Sequence, residues 1–239
     1  MIKYFLEIKN RILLLFLTWL ASLFICYLHK ETLLFLITQP NKIITNNGFY
    51  FIFTNVTEIF SVYIQLITFV GFQLLFFYLI YHLFSFLSLA MFKTEFYYFK
   101  TLLKFSVVSW ICSIIFNNFV LVPITWNFFL SFQEIISTKF IKLHFESKLT
   151  EYLSFYILMY YLAVCYCQIF TILFFFLSYL NDKNKTTKRF RKLFYYVFVV
   201  FSTLISPPDV LSQVFVSSLF ILIYELLVFS FLLKYQLTR

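Results

Sequence analysis

The sequence predicts an all-α protein that crosses a membrane six times. Three observations carry that expectation. Hydrophobic residues make up 62% of the 239 and charged ones only 12%, with a mean hydropathy of +0.90, so a water-soluble domain could not cover itself. The apolar residues fall into runs of about membrane-crossing length, separated by polar stretches. Lys and Arg divide unequally between alternate stretches. Fourteen lie on the side of both termini and five on the other, which places the termini inside.

Tyr4 to Arg11 reads as a short amphipathic entry to a first span, Ile12–Leu28, and Met1–Arg11 lacks a cleavable signal pattern. His29 to Asn55, with Pro40 and Asn46-Asn47-Gly48, reads as loop and turn. Glu58 is placed to cap a second span, Ile59–Leu89, which is long enough to require tilt or extension beyond the hydrocarbon. His82, toward its inner end, reads as an interfacial side chain. Met91–Lys100 is a short loop, and a third span, Thr101–Leu121, holds Asn117 and Asn118 and ends at Pro123. A polar loop, Ser131–Thr150, leads to a fourth span, Tyr152–Leu180. Gln168 sits near its middle, where an uncharged amide most often hydrogen-bonds a neighbouring helix.

Asn181–Lys192 carries six of the nineteen basic residues and reads as an inner loop. The fifth apolar run, Leu193–Ile205, holds thirteen residues, about 20 Å of helix against about 30 Å of hydrocarbon. Pro207-Pro208 stops it. Ser206 is placed as N-cap of the next helix, with Asp209 toward the positive end of its dipole and Gln213 one turn beyond. The sixth run, Val210–Leu233, contains Glu225, an intramembrane carboxylate with no local lysine, which should face protein or water. The fifth and sixth helices are expected to fall short of a full span and leave a shallow concave wall, faced by Gln168.

Several chemistries are excluded. Two glycines cannot build a phosphate-cradling loop, and no metalloprotease or nucleophile-elbow pattern occurs, so no enzyme is expected. Cys26, Cys112, Cys165 and Cys167 lie in apolar runs without histidines, so no metal or cofactor is expected. The charge of +9 concerns topology and membrane lipid, not nucleic acid. The 38 Phe and 18 Tyr, with frequent Ile, Lys and Asn, use AT-rich codons and suggest an organelle-encoded gene. A proton-coupled small-solute carrier using Glu225, Gln168 and Asp209 as a polar relay is the alternative from another class. The absence of an internal repeat argues mildly against it.

The turn Ser206-Pro-Pro-Asp-Val-Leu-Ser-Gln213, with Tyr224-Glu225 beyond it, resembles the signature before the last helix of TatC, the receptor core of the twin-arginine protein translocase. Tyr4–Arg11 resembles the family's entry motif, with Tyr4 in place of its histidine. Pro40, Phe53–Glu58, Lys93-Thr94-Glu95 and Pro123 follow in the family's order. Departures are Ser206 for threonine, Phe96 and Tyr97 for two arginines, Gln168 for a glutamate, and Phe76-Phe77, Leu89 and Phe170 for prolines. The resemblance implies one membrane domain over 1–239 that binds twin-arginine signal peptides of folded cargo. Glu7, Lys9, Arg11, Lys93 and Glu95 are implied at the peptide site, and Gln168, Asp209, Gln213 and Glu225 in the intramembrane polar set. Also implied are single-span TatA- or TatB-type partners, drive by the proton motive force, and a homo-oligomer within a larger complex. The mitochondrial inner membrane is the expected location, with the thylakoid membrane as the alternative.

Overall fold

The computed structural model describes residues 2–44, 51–136, 146–179, 183–206 and 208–237. The chain is all-α: apart from one isolated bridge, Ile52 to Lys148, no strand pairing occurs among the described residues. In order the helices are α1 (Ile2–Leu28), α2 (Lys30–Ile44), α3 (Val56–Leu87), α4 (Lys93–Phe116), a π-helical turn (Asn117–Leu121), α5 (Val122–Ile136), α6 (Leu149–Tyr179), α7 (Lys183–Ile205) and α8 (Val210–Leu237). Among the described residues five stretches are long and apolar enough to cross a membrane: Tyr4–Leu28, Val56–Leu87, Lys93–Ser131, Leu149–Leu173 and Val210–Ser230. The sixth expected crossing is the apolar half of α7.

Helix extends well past the apolar runs, and this corrects several boundaries. Residues 30–44, expected as loop, form α2, which follows α1 almost without a break: His29 N–H donates to Ile25 at 3.2 Å and Leu33 N–H to His29 at 3.1 Å. Pro40 lies inside α2 and is buried. The Tyr152 hydroxyl donates at 2.8 Å to the carbonyl of Ile37, three residues before that proline, in the turn a proline loosens. Asn46-Asn47-Gly48 lies outside the described residues.

Pro123 does not end the third span. The π turn just before it widens the helix, with Val122 N–H bonding the Asn117 carbonyl, and so accommodates the proline's missing donor and ring. The helix then continues as α5 to Ile136. The loop expected at 91–100 shrinks to a few residues, because α4 already begins at Lys93. Of the Ser131–Thr150 loop, 131–136 and 149–150 are helical and 137–145 lie outside the described residues.

The basic stretch read as an inner loop belongs to α7 from Lys183 onward. Only its last thirteen residues are apolar, whereas α8 runs 28 residues, about 42 Å. Within α8 the apolar span is Val210–Ser230, 21 residues, against the thirteen of α7. Ser206 closes α7, through its N–H and hydroxyl to the Ser202 carbonyl at 2.9 and 2.7 Å, and does not cap α8. Asp209 takes that place: its Oδ1 accepts from Leu211 N–H at 3.3 Å and its carbonyl from Gln213 N–H at 3.1 Å. Pro207 lies outside the described residues.

The chain packs as two compact units, residues 1–99 with 146–157 and residues 100–145 with 158–239. In the first, α1 lies along α3. A methyl group added at Gly71 would stand 2.6 Å from Leu23 Cδ2, so glycine is what allows that approach. Val62, Leu66, Ile67 and Phe69 fill its interior, with Leu153 and Tyr156 from the start of α6. The second unit is built on rings. Tyr166, Phe198 and Tyr224 are fully buried, and Tyr166 meets Phe220 with centroids 3.7 Å apart. With two glycines in the whole chain, close small-residue seams are scarce, and interdigitated aromatics supply the packing contact instead.

Candidate binding site

In the first unit, α1 presents Glu7 and Arg11 four residues apart on one face, and they pair. Glu7 Oε1 accepts from Arg11 Nη2 at 2.7 Å and Nε at 3.1 Å. Arg11 Nη1 donates to the His82 carbonyl at 3.2 Å and to Ser85 Oγ at 3.0 Å, and the guanidinium lies 5.9 Å from the Phe86 ring centre. Arg11 thus ties α1 to the end of α3. Its own side chain is 22% exposed, while Glu7 keeps 35%. Lys9, off that face, is exposed and joins no ion pair among the described residues.

Glu95 stands in the first turn of α4, where helix-dipole polarity favours a carboxylate. Its Oε2 accepts from Phe92 N–H at 3.2 Å, a cap reaching back to the residue before the helix. Lys93 and Glu95 are both exposed, and neither pairs with the other. Phe84 stacks on Phe96 at 5.3 Å and on Phe99 at 5.5 Å, closing the α3–α4 hairpin beside Ser85. Glu7 and Glu95 are therefore both tied to the same end of α3, one through Arg11 and one through this hairpin. Two carboxylates at one apolar protein's helix ends, each with one oxygen engaged, can receive basic groups from outside the chain.

Glu58 is a cap, as expected from sequence: Thr54 donates its N–H and hydroxyl to the two carboxylate oxygens at 2.9 and 2.7 Å.

The polar residues of the second unit serve three separate places. Gln168 Nε2 donates to the Ser106 carbonyl at 3.2 Å, and Gln168 Oε1 accepts from Ser106 Oγ at 3.2 Å and Thr171 Oγ1 at 3.1 Å. It is an α4–α6 cross-link. Glu225 is not a carboxylate without a local cation: Arg191 of α7 forms an ion pair with its Oε2, and the Tyr195 hydroxyl donates to its Oε1. Sequence reading missed Arg191 because it lies in the stretch taken for a loop. Asp209 lines an open pocket of about 460 Å³ with Ile124, Asn127, Phe128, Ser131 and Ser212. Gln213 is half-buried one turn on. No side-chain hydrogen bond among the described residues joins Gln168, Asp209, Gln213 and Glu225 to one another, so the relay drawn for a solute carrier is not formed there. Asn117, fully buried in the π turn, has neither amide atom bonded among the described residues, and the Tyr166 hydroxyl is likewise unpaired.

Fold and site together define a multi-span helical membrane protein with Glu7 and Glu95 partly engaged at helix ends and with Gln168 and Glu225 cross-linking its helices. Residues 3–218 match the family model for TatC, the Sec-independent protein translocase protein, and the chain belongs to that family. It is 32% identical to an uncharacterized tatC-like protein ymf16 of Nephroselmis olivacea, covering 95% of this chain and 92% of the other. It is 26% identical to the Sec-independent protein translocase protein TatC of Rickettsia prowazekii (strain Madrid E), over 93% and 88% of the two chains. A crystal structure of the twin arginine translocase receptor TatC has the same fold, with a TM-score of 0.65 at 20% identity over 93% of this chain and 96% of that one.

Proposed function

We propose that this chain is the receptor core of an organellar twin-arginine translocase, acting as one membrane domain over residues 1–239. It binds the signal peptides of folded precursors at Glu7 and Glu95, with Lys9, Arg11 and Lys93 around them. It assembles single-span TatA- or TatB-type subunits in a larger, homo-oligomeric complex driven by the proton motive force. Its place is the mitochondrial inner membrane with both termini in the matrix. The observation that carries this reading is the pair of partly engaged carboxylates at one end of the first unit. Tandem arginines call for two acceptors, and a guanidinium pairs with a carboxylate in a geometry lysine cannot copy when both oxygens are open.

Site-specific crosslinking of the full chain in membranes to a twin-arginine precursor tests it, with the twin-lysine precursor as comparison. Capture is expected to fall at least about tenfold in the Glu7→Gln, Glu95→Gln double variant, an amount that loss of two charge-assisted contacts readily gives. Unchanged capture in both single variants and the double would sink the receptor site.

A further inference from the structure

Resting on the receptor reading above, we infer that Arg11 sets the specificity of that site by occupying one oxygen of Glu7 and leaving only the other for an incoming basic residue. Oε1 accepts from both Nε and Nη2 of Arg11, so the guanidinium covers that oxygen. The guanidinium cannot swing away without breaking two further bonds, to the His82 carbonyl and Ser85 Oγ. Oε2 of Glu7 makes no hydrogen bond among the described residues, and the side chain is 35% exposed. A fork-to-fork contact with arginine needs both carboxylate oxygens. Where one is taken, guanidinium and ammonium meet the same single oxygen, and arginine loses its geometric advantage over lysine.

Glu95 differs. Its engaged oxygen is held by a single backbone N–H at 3.2 Å on an exposed side chain, a contact that water or an arriving guanidinium readily replaces. Glu95 can thus offer both oxygens to a fork once that single contact yields, and it keeps the preference for arginine. The two basic positions of the bound peptide are therefore read unequally: Glu95 demands arginine and Glu7 demands only a positive charge. Arg11 acts here as a positioning residue, not as a group that touches the peptide.

The test captures four precursors that differ only in the paired positions: twin-arginine, each of the two single-lysine forms, and twin-lysine. With the wild-type full chain, one single-lysine form should be captured within about threefold of twin-arginine. The other should fall about tenfold or more, together with twin-lysine. In Arg11→Gln, which frees Oε1, the tolerated form should become discriminated by about tenfold as well. Ser85→Ala keeps the Glu7–Arg11 pair and should leave the asymmetry in place. A simple loss of stability lowers capture of all four precursors together and does not change their ratios. Equal behaviour of the two single-lysine forms on the wild type, whether both tolerated or both rejected, would overturn the inference even if Arg11→Gln fails to fold. Failure of the wild type to prefer twin-arginine over twin-lysine would instead remove the receptor reading itself, and this inference with it.

Discussion

Glu7 and Glu95 of the first unit and Gln168 and Glu225 of the second are treated in opposite ways. In residues 1–99 with 146–157, Glu7 and Glu95 are each half used, one by an arginine on its own helix and one by a backbone N–H, and both remain accessible. In residues 100–145 with 158–239, Gln168 and Glu225 are consumed by neighbouring helices, with every carboxylate oxygen of Glu225 taken. A carboxylate or amide in an apolar chain is an invitation to assign function, and the difference between the units shows what decides the matter. It is whether the chain itself supplies the partners. Supplied in full, the polar group holds helices together; supplied in part, it can still bind something else.

The comparison breaks first at Arg191. Arg191→Gln should lower thermal stability in detergent by about 1.5 kcal/mol, since it removes a partly exposed charge-assisted contact and leaves Glu225 only its bond from Tyr195. Exchanging the two, with Arg191→Glu and Glu225→Arg together, should restore most of that. If Arg191→Gln left stability intact while abolishing transport, Glu225 would belong with the open carboxylates of the other unit. A smaller effect is expected at Gln168. Gln168→Leu removes the α4–α6 cross-link and should cost about 1 kcal/mol, with capture of a twin-arginine precursor unchanged. Reduced capture would show that the second unit takes part in binding. The smallest effect is expected at Asn117, whose buried amide holds no partner among the described residues: Asn117→Leu should change stability by no more than about 0.5 kcal/mol, or raise it. A large loss in the same detergent melt would reveal a partner that this amide shares in the membrane.

Much of this arrangement was legible in the residues. Hydrophobic runs located the spans, and the place of Glu58 near the start of the second span marked the cap, though not its partner Thr54. What escapes the sequence has a common physical cause: polar composition does not distinguish a loop from a helix that continues into water. Residues 30–44, the start of α4 and residues 183–192 are all rich in Lys, Glu, Asn or Thr, yet a helix satisfies its backbone internally and continues into water as readily as into lipid. Taking 183–192 for a loop hid Arg191 from Glu225, 34 residues away. The contacts of Arg11 with His82 and Ser85, across 71 and 74 residues, are likewise pairings no local pattern encodes. Pro123 reads as a stop because proline usually breaks a helix, and no rule of spacing announces the π turn that absorbs it.

The Glu225–Arg191 pair also bears on how the protein gets into its membrane. Glutamate placed alone in a helix entering hydrocarbon resists insertion, by about 3 kcal/mol for a comparable acidic residue at the centre. The chain emerges from synthesis with α7 first, carrying Arg191, and α8 follows with the carboxylate that Arg191 neutralises. The thirteen apolar residues of α7 are too few to anchor it alone, and α8 is handicapped by its charge. Each helix thus lacks what the other brings.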